Sequence, residues 1–335
     1  MRFKLIPRFL LLAGLCAPLA SIELWLTRGL AAQKPRIVFS TLRFDNYEIH
    51  VMDDDGGNRE NLTNHPVDDR DPDWSPDRTK IVFVSNRNLG VDQIYVMDAD
   101  GQNQIKLTYG PRRKRDPDWS PDGGKIAFTV HADWKDDLFP HIAVMDAGGQ
   151  NRERFEDHAM QPSWSPDGKK IAFVSWRGGH NEIYTIGADG QGVERMTHHL
   201  EGKWSPTFSP DGRQIAYMAK HEGFLHIYVV GADGKNPMRL THNQEYHYHP
   251  TWSPDGKRIA YASSDNNQNF FHNAKIHSMT ADGKHLEQLS DEHDGLDFQP
   301  DFSPVGLAAP PTAVSPAFKT ATLWGRLKKL ELNRR

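Results

Sequence analysis

The sequence predicts an all-β fold, a six-bladed β-propeller made of four-stranded antiparallel blades. Three observations support this prediction: a motif with proline, an aromatic residue and serine recurs six times, its spacing fits four short strands with turns, and the two ends of the array complement each other. Between their leading prolines, the copies are 45, 45, 44, 44 and 50 residues apart. These prolines are Pro72, Pro117, Pro162, Pro206, Pro250 and Pro300.

The copy that begins at Pro162 shows how one repeat forms one blade. The Ser-Pro-Asp-Gly segment at 165–168 has the residue types of a tight turn that follows the innermost strand. Residues 170–175 then carry apolar side chains on both faces, which indicates a strand covered from two sides. Residues 182–186 predict the third strand, and Ala-Asp-Gly at 188–190 turns the chain into the outermost strand.

The ends of the array predict that the ring closes on itself. The first repeat, residues 36–63, contains three outer strands and no innermost strand, whereas the last repeat contains only an innermost strand at 299–303. We therefore expect 299–303 to pair with the strand at 37–40, so that residues 36–306 form one closed propeller. Closure also removes the open sheet edges that favour aggregation.

The two termini differ in character from the repeats. Residues 1–32 combine early basic residues, an apolar stretch and a small-residue end, which predicts a secretory signal peptide, with an uncleaved anchor as the alternative. Residues 307–335 predict an Ala/Pro-rich linker followed by a short basic amphipathic tail, either docked on the propeller or bound to a partner or a membrane surface. We expect no membrane span once the signal is removed.

Composition excludes several classes of protein. A formal charge of −4 argues against a nucleic-acid-binding protein, and a mean hydropathy of −0.67 argues against a multi-span membrane protein. Cys16 is the single cysteine and lies in the leader, so the propeller has no disulfide, no thiolate metal site and no cysteine nucleophile. The sequence contains no Gly-x-Ser-x-Gly nucleophile motif.

The residue before each repeat proline predicts a candidate site. We expect these six positions at the start of the innermost strands, where they converge at the mouth of the axial channel. All six are polar, so the mouth suits a hydrated ligand, a cation or the side chains of a partner. The predicted ring contains Asp71, Asp116, Gln161, Ser205, His249 and Gln299. The alternatives are a solvated channel and a Ca²⁺ site on Asp71 and Asp116, although Arg70 and Arg115 stand beside them as counter-charges.

The Pro-x-Trp-Ser-Pro-Asp-Gly turn, the Ile-Ala-Phe-Val-Ser strand and the Ile-Tyr hairpin ending in Asp-Gly resemble the WD40-like propeller repeats of the TolB family. The resemblance covers about residues 36–306 and implies an exported propeller of the cell envelope, periplasmic or secreted. Similar repeats also occur in oligogalacturonate lyases and in prolyl-oligopeptidase-type peptidases, so the fold does not fix the activity.

A second, more distant resemblance concerns residues 244–250, which look like the Gln-x-x-His-x-His-Pro metal segment of oligogalacturonate lyases. It implies that Gln244, His247 and His249 hold a divalent metal, manganese in those enzymes, with a histidine from another blade. In a regular strand His247 and His249 point to the same side, which suits a metal. The equivalent region of the preceding repeat, residues 203–206, supplies no such histidine.

Two functions follow from these patterns. The first is a non-enzymatic, monomeric scaffold that binds an envelope or extracellular protein through the channel mouth and its loops, without a resident cofactor. The alternative is a metal-dependent polysaccharide lyase or another carbohydrate-active propeller enzyme, with Ca²⁺ or Mn²⁺ at the channel mouth.

Overall fold

A computed structural model describes residues 35–132, 139–198, 201–265, 273–291 and 295–304. Within these ranges every regular element is a β-strand, and the 24 strands form six antiparallel sheets of four. The predicted six-bladed propeller is therefore confirmed. The predicted signal, 1–32, and the predicted tail, 307–335, lie outside the described residues and stay predictions. The described part of the chain contains no helix that is long and apolar enough to cross a lipid bilayer.

Five blades use four consecutive strands each, ordered from the axis outward. The blade of residues 69–106 contains β4 (Asp69–Trp74), β5 (Lys80–Ser85), β6 (Gln93–Asp98) and β7 (Ile105–Lys106). The next contains β8 (Lys114–Trp119), β9 (Lys125–Val130), β10 (His141–Asp146) and β11 (Glu153–Asp157). The third contains β12 (Ala159–Trp164), β13 (Lys170–Ser175), β14 (Glu182–Gly187) and β15 (Glu194–Arg195). The fourth contains β16 (Lys203–Phe208), β17 (Gln214–His221), β18 (Phe224–Gly231) and β19 (Met238–Arg239). The fifth contains β20 (Tyr246–Trp252), β21 (Arg258–Ser264), β22 (Lys275–Thr280) and β23 (Glu287–Gln288).

The sixth blade joins the two ends of the array, as predicted. It contains, from the axis outward, β24 (Leu296–Phe302), β1 (Arg36–Arg43), β2 (Asn46–Asp53) and β3 (Glu60–Asn61). Phe302 lies opposite Ile37 in the β24–β1 register. Ser303 N donates to Arg36 O at 2.7 Å, and Arg36 N donates to Ser303 Oγ at 2.8 Å.

Those two bonds repeat a contact made inside every other blade. In the blade of β12–β15, Ser165 N donates to Lys170 O and Lys170 N donates to Ser165 Oγ, both at 2.8 Å. The turn between them is closed by a 2.9 Å bond from Gly168 N to Ser165 O, with Gly168 at a φ of +69°, which suits glycine. The closing blade therefore reproduces the innermost hairpin without a covalent turn.

The hydrophobic core lies between facing blades. Second and third strands are buried along nearly their whole length, as in β5 and β13. One core cluster combines Val38 and Ile49 of the closing blade with Trp74, Ile81 and Phe83 of the next. Each blade therefore buries its face against its neighbour, which holds the innermost strands rigidly around the axis.

Candidate functional site

The six predicted ring residues surround one axial cavity of about 140 Å³. They occupy the third or fourth position of the innermost strands, not the first as the sequence suggested. A volume of this size holds on the order of ten water molecules. The ring consists of Asp71, Asp116, Gln161, Ser205, His249 and Gln299.

All six ring residues adopt a left-handed backbone conformation, with φ between 48° and 53°. At each of these positions the pairing of the innermost strand with the second strand shifts register, which is the mark of a β-bulge. The bulge removes backbone amides from the strand ladder. Left-handed backbone in residues other than glycine costs on the order of 1 kcal/mol each and is concentrated at functional sites.

Ring side chains accept hydrogen bonds from the next blade. Gln161 Oε1 accepts from Ser205 N at 2.9 Å, and Gln299 Oε1 accepts from Asp71 N at 3.3 Å. The Asp71 carboxylate in turn accepts from the Asp116 amide. The bulge frees these amides, and ring side chains satisfy those of Ser205, Asp71 and Asp116 from blade to blade, whereas the Gln161 amide donates to Thr129 Oγ1 at 2.9 Å.

A second set of polar residues lies next to this ring, and sequence reasoning did not identify it as a set. Four of its six members, Asp73, Thr207, Thr251 and Asp301, line the same cavity. These residues follow each repeat proline, and they make up an inner tier further along the strands. The signal was present, since all six copies have a polar residue between proline and the aromatic residue. The inner tier contains Asp73, Asp118, Ser163, Thr207, Thr251 and Asp301.

Inner-tier carboxylates also bond to the next blade. Asp73 Oδ2 accepts from Trp119 N at 2.8 Å, and Asp118 Oδ2 accepts from Trp164 N at 2.7 Å. Asp301 Oδ2 accepts from Trp74 N at 3.0 Å across the closing blade. These bonds follow the direction of the chain around the ring.

The cavity is acidic on one side. Four carboxylates line it, those of Asp71, Asp73, Asp116 and Asp301, and Asp118 lies beside them in the inner tier. The five come from β24, β4 and β8, and burial raises the pKa of each. The pKa of Asp118 rises to about 8, that of Asp116 to about 7 and that of Asp301 to about 6. Burial, with the charges of Asp301 and Asp118, also raises the pKa of Asp73 well above its usual value. Near neutral pH, part of this cluster is therefore protonated.

Two arginines stand beside the ring, as the sequence suggested, but their direct partner is a different residue. Arg70 Nη2 contacts Asp92 Oδ1 at 2.9 Å, and Arg115 Nη2 contacts Asp92 Oδ2 at 2.6 Å. Their charges still lower the pKa of Asp71 against the effect of burial. Asp92 holds both guanidinium groups next to the ring without placing them in it.

The structure separates the predicted metal ligands. His249 lines the axial cavity, whereas His247 is 1% exposed and bonds to Asn243 Oδ1 at 2.7 Å. The expectation that both rings share one side is wrong for this strand, because the left-handed backbone of His249 interrupts the regular alternation. Gln244 is exposed in the connection before β20.

An imidazole from another blade does reach His247. The ring of His226, on β18, lies 5.9 Å from that of His247 between centroids. Burial lowers the pKa of His247 to about 3 and that of His226 to about 4, so both are neutral at pH 7. Among the described residues, no three His, Cys, Asp or Glu side chains are placed to hold a metal ion. The metal and cation assignments stay predictions.

Large apolar side chains are exposed on loops at one end of the propeller. We call this the ring end. The innermost strands begin at this end, and the ring residues are closer to it than the inner-tier residues are. Connections between second and third strands lie there, since β5 is antiparallel to both β4 and β6. Phe44, Leu89 and Trp176 occupy three such connections, and their exposed fractions are 102%, 94% and 56%.

These features define the chain as a closed six-bladed propeller with a polar axial cavity and exposed apolar side chains on loops at one end. The family described as PD40, the TolB β-propeller domain, matches residues 32–153 and 96–309. The chain belongs to this family. A comparison with curated proteins gives no match.

Two solved TolB structures show the same fold. TolB from Acinetobacter baumannii superposes with a TM-score of 0.71 at 24% identity, over 80% of this chain and 66% of that one. A putative TolB from Agrobacterium tumefaciens gives 0.65 at 21% identity, over 81% of this chain and 100% of that one. The oligogalacturonate lyase of Vibrio parahaemolyticus is more distant, with a TM-score of 0.47 at 16% identity over 76% of this chain and 73% of that one.

Proposed function

We propose that the chain is an exported, periplasmic or secreted, non-enzymatic scaffold that binds another protein of the cell envelope through the ring end. The observation that carries this proposal is the exposure of Phe44, Leu89 and Trp176 on ring-end loops of three different blades. Large apolar and aromatic side chains held on a rigid framework are typical of protein-binding surfaces. Membership of the TolB propeller family and the leader-like residues 1–32 support an envelope location.

The cavity complements this surface. Because its polar groups lie at the axis and the apolar side chains lie on the surrounding loops, a partner can bury apolar contacts while a polar side chain enters the cavity. This division between specific polar contacts and apolar anchoring is common in protein recognition. One copy of the chain supplies the complete surface, which is consistent with a monomer.

The test is capture from envelope extracts with the full chain, expressed with its own leader and tagged at the C terminus. The test variant combines Leu89→Ala with Trp176→Ala. The matched control combines Ile105→Ala with Met238→Ala, since these residues are 57% and 46% exposed on outermost strands, away from the ring-end loops. We expect the control to retain the captured protein, and the test variant to bind that protein, once purified, at least tenfold more weakly. Equal binding by both variants contradicts the proposal.

Metal analysis of the same preparations tests the lyase alternative. We expect no stoichiometric metal. Manganese or calcium at one ion per chain, lost in the double variant His247→Ala and His249→Ala, would favour a metal-dependent enzyme instead.

A further inference from the structure

One blade lacks an arginine that two other blades use to cover their core. In the blade of β4–β7, Arg87 lies two residues after Ser85, and in the blade of β12–β15, Arg177 lies two residues after Ser175. The equivalent serine of the blade of β20–β23 is Ser263, since it pairs with the innermost strand at the same place in the register as Ser85. Two residues later stands Asp265, an acid at the place of Arg87 and Arg177. The corresponding residues of the blades of β8–β11 and β16–β19 are Ala132 and His221.

Arg87 and Arg177 make matching contacts in their two blades. The Arg87 guanidinium lies over the rings of Phe83 and Tyr95 at 5.6 and 5.0 Å, and its Nε donates to Ser85 Oγ at 2.8 Å. Its Nη2 donates to the Asp69 carboxylate at 2.7 Å. The aromatic stack, the serine and the carboxylate therefore form a site for a planar cation, and the chain fills this site itself.

Arg177 repeats the arrangement two blades further round the ring. It lies over Phe173 and Tyr184 at 5.7 and 5.3 Å and donates to Ser175 Oγ at 3.0 Å. Its carboxylate partner is Glu156.

In the blade of β20–β23, the place that the arginine side chain fills in the other two blades is a cavity of about 360 Å³ at the ring end. We call this cavity the β21–β22 pocket. Its floor is His277, which stacks on Tyr261 at 5.9 Å and 23°. This pair occupies the register positions of Phe83 and Tyr95. Burial lowers the pKa of His277, so the ring is neutral at pH 7 and presents a π-face as tyrosine does.

The polar groups of the β21–β22 pocket match a cation. Glu245 and Asp265 line it, and Glu245 Oε2 accepts from Ser263 Oγ at 2.8 Å. Asp265 Oδ2 accepts from Asn273 at 3.2 Å, whereas the buried Asp265 Oδ1 has no hydrogen-bond partner. Ser264, only 2% exposed, also lines the pocket, and its hydroxyl bonds to that of Tyr248. Lys275 contributes one positive charge, but its Nζ already donates to Gly295 O at 2.9 Å.

We propose that the β21–β22 pocket binds a guanidinium group supplied by another molecule, namely an arginine side chain of the protein partner. The inference rests on the proposed function for the identity of the ligand and on the blade comparison for its chemistry. A guanidinium fits better than an ammonium, since its planar fork stacks on His277 while donating to Glu245 and Asp265.

The test uses Nα-acetyl-arginine amide as the probe and calorimetric titration into the full chain at low ionic strength. Nα-acetyl-lysine amide carries the same charge without the planar group and serves as the control ligand. We expect the arginine probe to bind at least fivefold more tightly than the lysine probe. Equal binding of the two, or no binding of either, overturns the proposal.

Asp265→Arg gives the sharpest variant, because it returns to the chain the arginine that two other blades possess. We expect it to bind the probe at least tenfold more weakly and to unfold at a higher temperature than the wild type. Asp282→Arg makes the same charge change at an exposed turn of the same blade and should bind the probe within twofold of the wild type. Unchanged probe binding by Asp265→Arg refutes the pocket.

Partner capture separates this inference from the proposed function. If Asp265→Arg loses the probe but retains the partner, the pocket binds guanidinium but the partner's arginine is not its ligand. If Leu89→Ala with Trp176→Ala retains the partner, the proposed ring-end surface is refuted, and the probe titration still decides the chemistry of the pocket.

Discussion

Replacing Phe302 by alanine tests whether the closing strand contributes as much as an internal one. Phe302 ends β24, lies opposite Ile37 and is 4% exposed. Phe208 ends β16, lies opposite Ile215 and is 9% exposed, so it is a matched control inside the array. Replacing a buried phenylalanine by alanine costs about 3–5 kcal/mol. Domains are commonly stable by only about 5–15 kcal/mol, so either loss is large.

The assay is urea denaturation followed by tryptophan fluorescence and by circular dichroism. If β24 is a full member of the sheet, Phe302→Ala and Phe208→Ala lower the free energy of unfolding by amounts within about 1 kcal/mol of each other. If β24 pairs only weakly, Phe302→Ala costs less than about 1 kcal/mol while Phe208→Ala keeps its full cost. The second result would refute closure by β24.

Two further predictions concern the axis and the closing blade, the second with a control on β6. At a pH between the unfolded pKa of 3.8 and the folded pKa of about 8, the Asp118 carboxyl group binds a proton only in the folded state. The free energy of unfolding should therefore fall as pH rises from 4 to 8, and it should fall less steeply in Asp118→Asn. Urea midpoints at pH 5 and pH 8 measure this difference. Asp297→Ala removes the buried carboxylate that accepts from Arg59 Nη1 and Nη2 at 3.1 and 2.8 Å and from Thr41 Oγ1 at 2.6 Å. It should cost about 3–5 kcal/mol in the same assay, because the partly buried guanidinium loses its charged partner and Thr41 loses an acceptor. The control is Asp98→Ala, which removes a solvent-exposed ion pair with Lys80 at 2.8 Å and should cost less than about 1 kcal/mol. Equal losses in the two variants would show that the ion pair of Arg59 with Asp297 does not stabilise the pairing of β24.

The sequence predicts the blades well because their chemistry is local. The predicted strand at 170–175 coincides with β13, since both of its faces are apolar and its first residue follows a Ser-Pro-Asp turn. Closure of the ring was also predictable. The first repeat lacks an innermost strand and the last repeat has only an innermost strand, so the two complete one blade. Outermost strands agree less well: the segment at 59–63 shortens to β3, Glu60–Asn61, at an edge where one neighbour is missing.

The site was harder to predict, because side-chain direction there depends on the bulge. Period-two alternation puts His247 and His249 on one side, but a φ of 48° at His249 turns its side chain into the axial cavity while His247 packs against His226. The sequence repeats contain an aspartate, Asp265, at the place where another blade has Arg87. The meaning of that difference depends on the cation–π contacts of Arg87, which form only in the folded chain. Long-range contacts of this kind leave no local signal.

The ring itself has a structural role that limits what it can recognise. Glycine would relieve the left-handed strain at each position, but glycine has no acceptor for the amide that the next blade presents. Gln161 and Gln299 supply that acceptor, so the strain is offset by a satisfied amide. Polar atoms used in this way are not available to a ligand. His249 lines the cavity and its Nδ1 has no hydrogen-bond partner, but that atom is buried and so is not presented to a ligand either. Under the proposed function, selectivity for a partner therefore comes from the ring-end loops and the β21–β22 pocket.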